Sequence, residues 1–184
     1  MLYRASRKIT KLYSFIYWYL IVTGKKLKIG WFSFTCCEDS TMVWIELMNE
    51  NFFKWKDLLD IRHARVLRKI NKLENIDVAF VEGAITTESD ARKLRSIRKN
   101  SKKLVAIGSC AINGMPAAQR NLFDEEQKKE IEFLVERFKQ TDKVRTVKDI
   151  VSIDDEVLGC PMEEDVFLKI LDKYLNEFGV INAH

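Results

Sequence analysis

The chain has 184 residues, 47% of them hydrophobic and 11% aromatic, enough to bury one core and too few for two comfortable domains. Its 31 basic and 27 acidic residues leave a formal charge of +4 and are interspersed along the chain, so no concentrated basic tract points to nucleic acid. Scarce glycine and proline (7 and 2) exclude a low-complexity linker, and four cysteines are too few for a small disulfide scaffold.

Residues 1–26 differ from the rest. Arg4, Arg7, Lys8 and Lys11 precede an apolar run, residues 12–22, that holds three tyrosines and a tryptophan and is followed by Thr23-Gly24-Lys25-Lys26. The layout is that of a signal peptide, yet its core is unusually aromatic and no small-x-small cleavage site follows. The run is also shorter than the ~20 residues a spanning helix needs. An interfacial or partner-contacting helix and a flexible extension both remain open, and the sequence leaves membrane contact undecided. Residues 27–184 are expected to form the folded domain, with residues 1–26 dispensable to it.

Alternation in residues 27–34 predicts a first strand. Cys36 and Cys37 follow it, and from Asp39 the apolar positions Met42, Ile45, Leu47 and Met48 recur at helical spacing up to Asn51. Neighbouring side chains on a strand point to opposite faces, so for both thiols to serve one site the strand must end by Thr35. Residues 52–59 are aromatic and ambiguous, with a second strand as one reading, ahead of a helix-like run at 64–73. A strand at 76–81 ends in Glu82-Gly83-Ala84, and Thr87-Glu88-Ser89-Asp90 opens a basic helix to about Lys99. Residues 104–107 are wholly apolar, as a strand buried on both faces should be, and lead into Gly108-Ser109-Cys110. Asn113-Gly114-Met115-Pro116 marks a loop, residues 124–139 a charged helix, residues 149–153 a weaker strand that precedes Gly159-Cys160-Pro161, and residues 163–178 a final helix capped by Gly179. Strands alternating with helices predict an α/β fold, a flavodoxin-like parallel sheet flanked by helices.

Every cysteine therefore sits where a strand gives way to a turn. In one parallel sheet those turns share the carboxyl edge, where open α/β sheets place their ligands. Four thiolates suit a cubane iron-sulfur cluster, a structural zinc site or unrelated buried thiols. The spacings of one, 73 and 50 residues are unlike paired zinc knuckles and favour a cluster assembled across a folded sheet. Reduced thiols in a chain of this composition point to the cytoplasm, with the inner face of the membrane as the alternative. Glu38 and Glu82 are candidate proton relays beside the thiols, although carboxylates at helix starts and strand ends are ordinarily solvated. His63 and His184 read as surface histidines, and Phe52, Phe53 and Trp55 as core or subunit packing. The glycine-rich dinucleotide fingerprint and the P-loop are both absent, so flavin or nicotinamide would sit on another chain.

Taken together, Cys36-Cys37-Glu38, Val81-Glu82-Gly83-Ala84, Leu104-Val105-Ala106-Ile107-Gly108-Ser109-Cys110-Ala111, Pro116-Ala117-Ala118-Gln119-Arg120-Asn121 and Gly159-Cys160-Pro161 resemble the small subunit of NiFe hydrogenases. That family shares its cluster domain with the 20 kDa subunit of respiratory complex I, and the resemblance spans residues 27–174. It implies a flavodoxin-like domain that holds one 4Fe-4S cluster beside a large subunit carrying the nickel-iron site. It also implies electron transfer onward to a further subunit. By this resemblance Cys110 and Cys160 are ligands, and Cys37 matches the second cysteine of the hydrogenase Cys-x-x-Cys. The first would fall on Phe34, which has no thiol, and Cys36 replaces it in a tandem pair like that of complex I. No cysteines remain for the further clusters of larger small subunits. The Pro-Ala-x-x-Arg-Asn stretch leans toward cytoplasmic, cofactor-coupled hydrogenases. A complex I-like quinone-linked subunit and a zinc-stabilised scaffold without redox function stand as rivals.

Overall fold

The computed structural model describes residues 23–181. Five strands form one wholly parallel sheet: β1 (Leu27–Ser33), β2 (Leu59–His63), β3 (Ile76–Glu82), β5 (Ser101–Ile107) and β7 (Asp155–Val157), in the order β2-β1-β3-β5-β7. This is the doubly wound, flavodoxin-like order, with β1 and β3 adjacent at the point where the winding reverses. The remaining two strands, β4 (Ile85–Thr87) and β6 (Gln140–Arg145), make a small antiparallel pair outside it.

The period of two along each strand divides the core. Ile29, Trp31, Val78, Phe80, Val105 and Ile107 face one layer, built with α1 (Asp39–Glu50), α2 (Phe52–Leu58) and α6 (Glu164–Glu177). Phe32, Ala79, Val81, Leu104 and Ala106 face the other, under α3 (Glu88–Lys99) and the short α4 (Gly108–Ile112). Trp44 anchors α1 by stacking on Trp31, with ring centroids 4.6 Å apart and planes 1° from parallel, and Phe80 and Phe167 complete the cluster. Burying side chains of this size contributes roughly 1.5–3 kcal/mol each, which sets α1, and with it the thiol loop before it, firmly on the sheet.

Three elements differ from the sequence-based expectation. Residues 52–58 form helix α2, not a strand, because Trp55 and Leu58 fall on one helical face and are buried, while Phe52 and Phe53 stay exposed. The second strand is Leu59–His63, and the run 64–73 is a looped return, not a helix. There Asn71 accepts from the Ala64 amide at 2.8 Å, and the Arg68 guanidinium donates to the Ile61 and Ile70 carbonyls, replacing helical bonds. Residues 149–153 are turns whose Ile150, Val151 and Ile153 pack on the core, and the strand forms just after them as β7. Residues 23–26, assigned to the extension, are tied to the fold: Thr23 and Lys25 bond to carbonyls of 178–180 and Lys26 to Lys56. The apolar run 12–22 and His184 lie outside the described residues.

His63, expected at the surface, is half-buried. Its ring stacks on Phe32 at 4.2 Å and its Nδ1 lies 2.9 Å from the Trp31 carbonyl. Burial, reinforced by Lys93 and Arg65 against the opposing pull of the Trp31 carbonyl, lowers its pKa below 6.5. The unfolded chain then binds more protons near that value than the native one, so this stability is present above pH 6.5 and lost as pH falls through the native pKa. His63→Phe keeps the stacking and removes the titration. Urea midpoints at pH 7.5 and 5.5 should fall further for the wild type than for the variant, and identical falls would refute the assignment.

Candidate iron-sulfur site

All four cysteines follow the carboxyl ends of strands in the parallel sheet: Cys36 and Cys37 in the loop after β1, Cys110 in the short α4 directly after β5, Cys160 in the loop after β7. The loops are bonded to one another. Thr35 exchanges backbone hydrogen bonds with Ala84 at 3.1 and 2.9 Å, and the Thr35 hydroxyl meets that of Thr86 at 2.8 Å. Ser109 donates its amide and its hydroxyl to the Gly159 carbonyl at 2.8 and 3.1 Å. The Met162 amide donates to Ser40 Oγ at 3.2 Å, which joins the Cys160 loop to the first turn of α1.

Glycine makes two of these approaches feasible. Gly83 has φ +93°, and a Cβ there would lie 2.8 Å from the Phe34 carbonyl carbon, directly under the segment leading to the tandem thiols. At Gly159, φ +115°, a Cβ would come within 2.3 Å of the Pro161 oxygen and force open the turn that presents Cys160.

Strand β1 ends at Ser33, and Glu38 adopts a left-handed conformation with φ 64° ahead of α1. The backbone therefore leaves β geometry at the tandem pair, as two thiols on one site require. It also sets backbone beside sulfur: the Cys36 thiol donates to the Phe34 carbonyl at 3.7 Å, and the Glu38, Asp39 and Ala117 amides favour the thiolates of Cys36, Cys37 and Cys110. Cys37, Cys110 and Cys160 line a single crevice together with Ser40 and Glu82. Cys36 packs at its margin, in the small cluster that contains Cys110 and Ala84. Cys37 and Cys160 are exposed, Cys36 half-buried and Cys110 buried.

The electrostatics of this edge suit a polynuclear cation. Burial, then the Glu82 carboxylate, pushes the Cys36 thiol up to about 12. Burial also raises Cys110, and the charges of Cys160 and Cys37 add to it. At Cys37 the Asp39 amide lowers the pKa most, but burial and the Asp39 carboxylate outweigh it. Thiolates crowded against one another and a carboxylate are unfavourable until a metal supplies positive charge, at which point they deprotonate and bind. Among the described residues no three Cys, His, Asp or Glu side chains converge tightly enough to chelate one metal ion. A cubane gives each thiolate its own iron, so its ligands stand around a cluster instead of meeting at a point. The donor set and its setting fit such a cluster.

Glu82 corrects the expectation of a solvated carboxylate: it is 3% exposed. Its Oε1 accepts from the Ser40 amide at 3.1 Å and its Oε2 from the Thr41 hydroxyl at 2.6 Å; Thr41 in turn accepts from Trp31 Nε1 at 2.8 Å. Burial raises its pKa, while the Thr41 and Ser40 bonds oppose the rise. Glu38 is exposed and contributes backbone geometry. Ser40 and Thr41 were not singled out from the sequence as site residues; the signal for Thr41 was Trp31, whose buried indole N–H needs an acceptor. Arg120 and Asn121 of the Pro-Ala-x-x-Arg-Asn stretch brace β6. Arg120 donates to the Asp142 and Thr141 carbonyls at 2.8 and 2.5 Å, and Asn121 bonds both backbone groups of Val144 at 2.8 Å. A wider groove of about 530 Å3 between α5 (Glu125–Arg137) and β6 lies away from the cysteines, so size does not identify the site.

A parallel sheet in flavodoxin order that carries its four cysteines at the carboxyl edge, where a flavodoxin would hold its flavin, defines an α/β domain with its thiols gathered at the ligand edge of the sheet. The chain belongs to the family described as the 20 kDa subunit of NADH ubiquinone oxidoreductase, whose model matches residues 36–174. It is 24% identical over 168 residues to the NAD-reducing hydrogenase HoxS subunit delta of Cupriavidus necator, covering 82% of this chain and 79% of that one. It is 30% identical over 153 residues to the sulfhydrogenase 2 subunit delta of Pyrococcus furiosus, covering 79% and 61%. Against several other hydrogenase relatives the chain spans about half their length. In structure it superposes on a chain of an H2-reduced NAD+-reducing NiFe-hydrogenase with TM-score 0.68 at 23% identity, over 82% of this chain and 92% of that one, which establishes the shared fold. Its relatives are subunits of oxidoreductase complexes of the hydrogenase type. Among the described residues no helix is long and apolar enough to cross a membrane.

Proposed function

We propose that this chain is the electron-transfer small subunit of a NiFe hydrogenase-type complex, relaying electrons singly between a large-subunit active site and a downstream acceptor subunit. One 4Fe-4S cluster, held by Cys36, Cys37, Cys110 and Cys160, supplies the one-electron chemistry. The observation that carries this reading is the cross-bonding of three cysteine loops at one sheet edge. The chain's own contributions are positional. The Glu38, Asp39 and Ala117 amides favour the thiolate forms of Cys36, Cys37 and Cys110. The Gly83 and Gly159 turns bring the loops close, and Glu82 pins the first turn of α1 beside Cys37. All four thiols serve the cluster and none is left for a nickel site, so hydrogen chemistry belongs to the partner. The subunit would act in the cytoplasm or at the inner face of the membrane. The tandem cysteines and the family description favour, as a second reading, a quinone-linked subunit of the complex I line.

Anaerobic reconstitution tests the proposal. The expected product is brown, holds about four irons and four sulfides per chain and shows a reducible EPR signal. Colourless protein with stoichiometric zinc would overturn it in favour of a scaffold. A co-purifying partner with two Cys-x-x-Cys motifs supports the hydrogenase reading, and one lacking them the quinone-linked reading. The tandem pair gives a finer expectation. Cys37→Ser should lose most of the iron, because Cys37 matches the family position directly. Cys36→Ser should retain a labile or three-iron cluster. A Cys36→Ser protein with full iron and unchanged spectra removes Cys36 from the ligand set and directs attention to Glu38 or solvent.

A further inference from the structure

The charges nearly balance over the whole chain but gather locally into two basic segments. Between Arg62 and Lys72 the chain holds five basic side chains and no acidic one, and α3 holds five basic against two acidic. The two segments adjoin. Leu73 at the end of the loop packs into the core layer under α3, and Lys93 of α3 and Arg65 of the loop both stand close enough to His63 to disfavour its protonation. Arg65, Lys69, Lys72, Arg92 and Lys93 are all exposed, and none of them forms an ion pair among the described residues. Among the loop cations three aliphatic side chains also face solvent: Val66, Leu67 and Ile70 are 53%, 44% and 69% exposed.

This surface reaches the cysteine edge. The loop departs from β2 at the end of the sheet from which the thiol loops depart. Lys93 Nζ sits 5.3 Å from the Phe34 ring centroid, and Phe34 is two residues before Cys36. We propose that the face formed by residues 65–72 and the exposed side of α3 is the docking surface for an acidic electron-carrier protein. This inference rests on the relay function above and names the kind of acceptor the relay would meet. An apolar centre ringed by unpaired cations is the composition of a steered protein interface, in which a complementary partner raises the encounter rate and fixes orientation. Single-stranded nucleic acid would be gripped by aromatic side chains stacking on bases, and the exposed apolar residues among the loop cations are aliphatic. Excess local charge left without internal partners repels itself, and a carrier of opposite sign relieves it.

A plant-type ferredoxin, a strongly acidic one-electron carrier, serves as the probe, immobilised for binding measurements against the reconstituted chain. The triple reversal Arg65→Glu, Lys69→Glu, Lys93→Glu should weaken binding by about tenfold or more, and raising salt from about 20 to 200 mM should weaken wild-type binding comparably. Lys69→Glu, Lys72→Glu, a pair on the loop alone, should give an intermediate loss if the triple variant is poorly folded by circular dichroism. Reversing Lys128 and Lys129 on α5 should change binding less than about twofold, because those side chains lie on another face. Binding that ignores both reversals on the proposed face, or falls equally with the α5 control, overturns the proposal. So does a chain that ignores ferredoxin but sediments with phosphatidylglycerol vesicles or shifts duplex DNA. Iron content and EPR report the relay separately. A chain that binds ferredoxin through these cations yet never holds iron refutes the relay and leaves the docking face standing, while a cluster-bearing chain without salt-sensitive binding refutes only the docking face.

Discussion

Cys110→Ser is expected to leave the reconstituted chain with almost no bound iron while the metal-free protein folds as the wild type does. Cys110 lines one crevice with Cys37 and Cys160 and shares a small packed cluster with Cys36, so it stands among the other three. It is also the most buried, at 7% exposure, in the short α4, fixed by the Ser109 to Gly159 bonds. Iron of a cluster is held by thiolate, the soft ligand. A serine hydroxyl ionises far less readily than a thiol, and burial at this position disfavours ionisation further. Exchange of one small group in a small cavity should cost the apo fold only about 1 kcal/mol, so loss of iron and loss of structure separate cleanly. Cys160→Ser, at an exposed loop where water can assist, should lose less. Iron and sulfide per chain, with the thermal midpoint of the metal-free forms, make the comparison. Full iron in Cys110→Ser would remove it from the site.

The elements legible in the sequence were those whose pattern and packing agree. The apolar runs at 27–34, 76–81 and 104–107 mark the middle strands of the sheet, observed at Leu27–Ser33, Ile76–Glu82 and Ser101–Ile107, the last beginning three residues before its apolar run. The last two long helices were bounded to within two residues, α6 by its apolar stripe and Gly179; the structure shows that an Asp124 and Gln127 capping box starts α5. What failed was decided by distant contacts. Phe52 and Phe53 carry strand propensity, but only Trp55 and Leu58 find the core, and their spacing is helical. The run 64–73 has helical composition, and no apolar stripe of it meets the sheet. Strands β4 and β6 are joined across more than fifty residues with a register irregularity, and no local pattern announces that pairing.

The site divided in the same way. Cysteine is rare enough, and strand ends distinctive enough, that the ligand candidates stood out from composition and spacing. The burial of Glu82 was invisible, because its partners Ser40 and Thr41 are brought to it by α1 from over forty residues upstream. A carboxylate at a strand end reads as solvated unless the next layer happens to roof it.

That roof makes Glu82→Ala the substitution with the largest expected cost to stability outside the aromatic core. The Ser40 amide and the Thr41 hydroxyl both donate to the carboxylate, and each hydrogen bond to a charged group contributes about 1.5–3 kcal/mol. The raised pKa of Glu82, caused first by burial, shows that desolvation offsets part of this gain, so the bonds do not count in full. Truncation also leaves two buried donors unmet and a cavity beneath α1. A net loss of about 3 kcal/mol follows for the metal-free chain in urea. Thr41→Val should cost about 2 kcal/mol, because it strands Trp31 Nε1 together with one carboxylate oxygen. Glu82→Gln should cost the least, about 1 kcal/mol, since the amide oxygen keeps one donor satisfied while its NH2 faces the other. In double variants with Glu82→Ala, the Thr41→Val effect should shrink well below its value in the wild-type background, because the two side chains share one bond. If Glu82→Ala falls within about 0.5 kcal/mol of wild type, or the two losses simply add, the carboxylate is not the strut that holds α1 against the thiol edge.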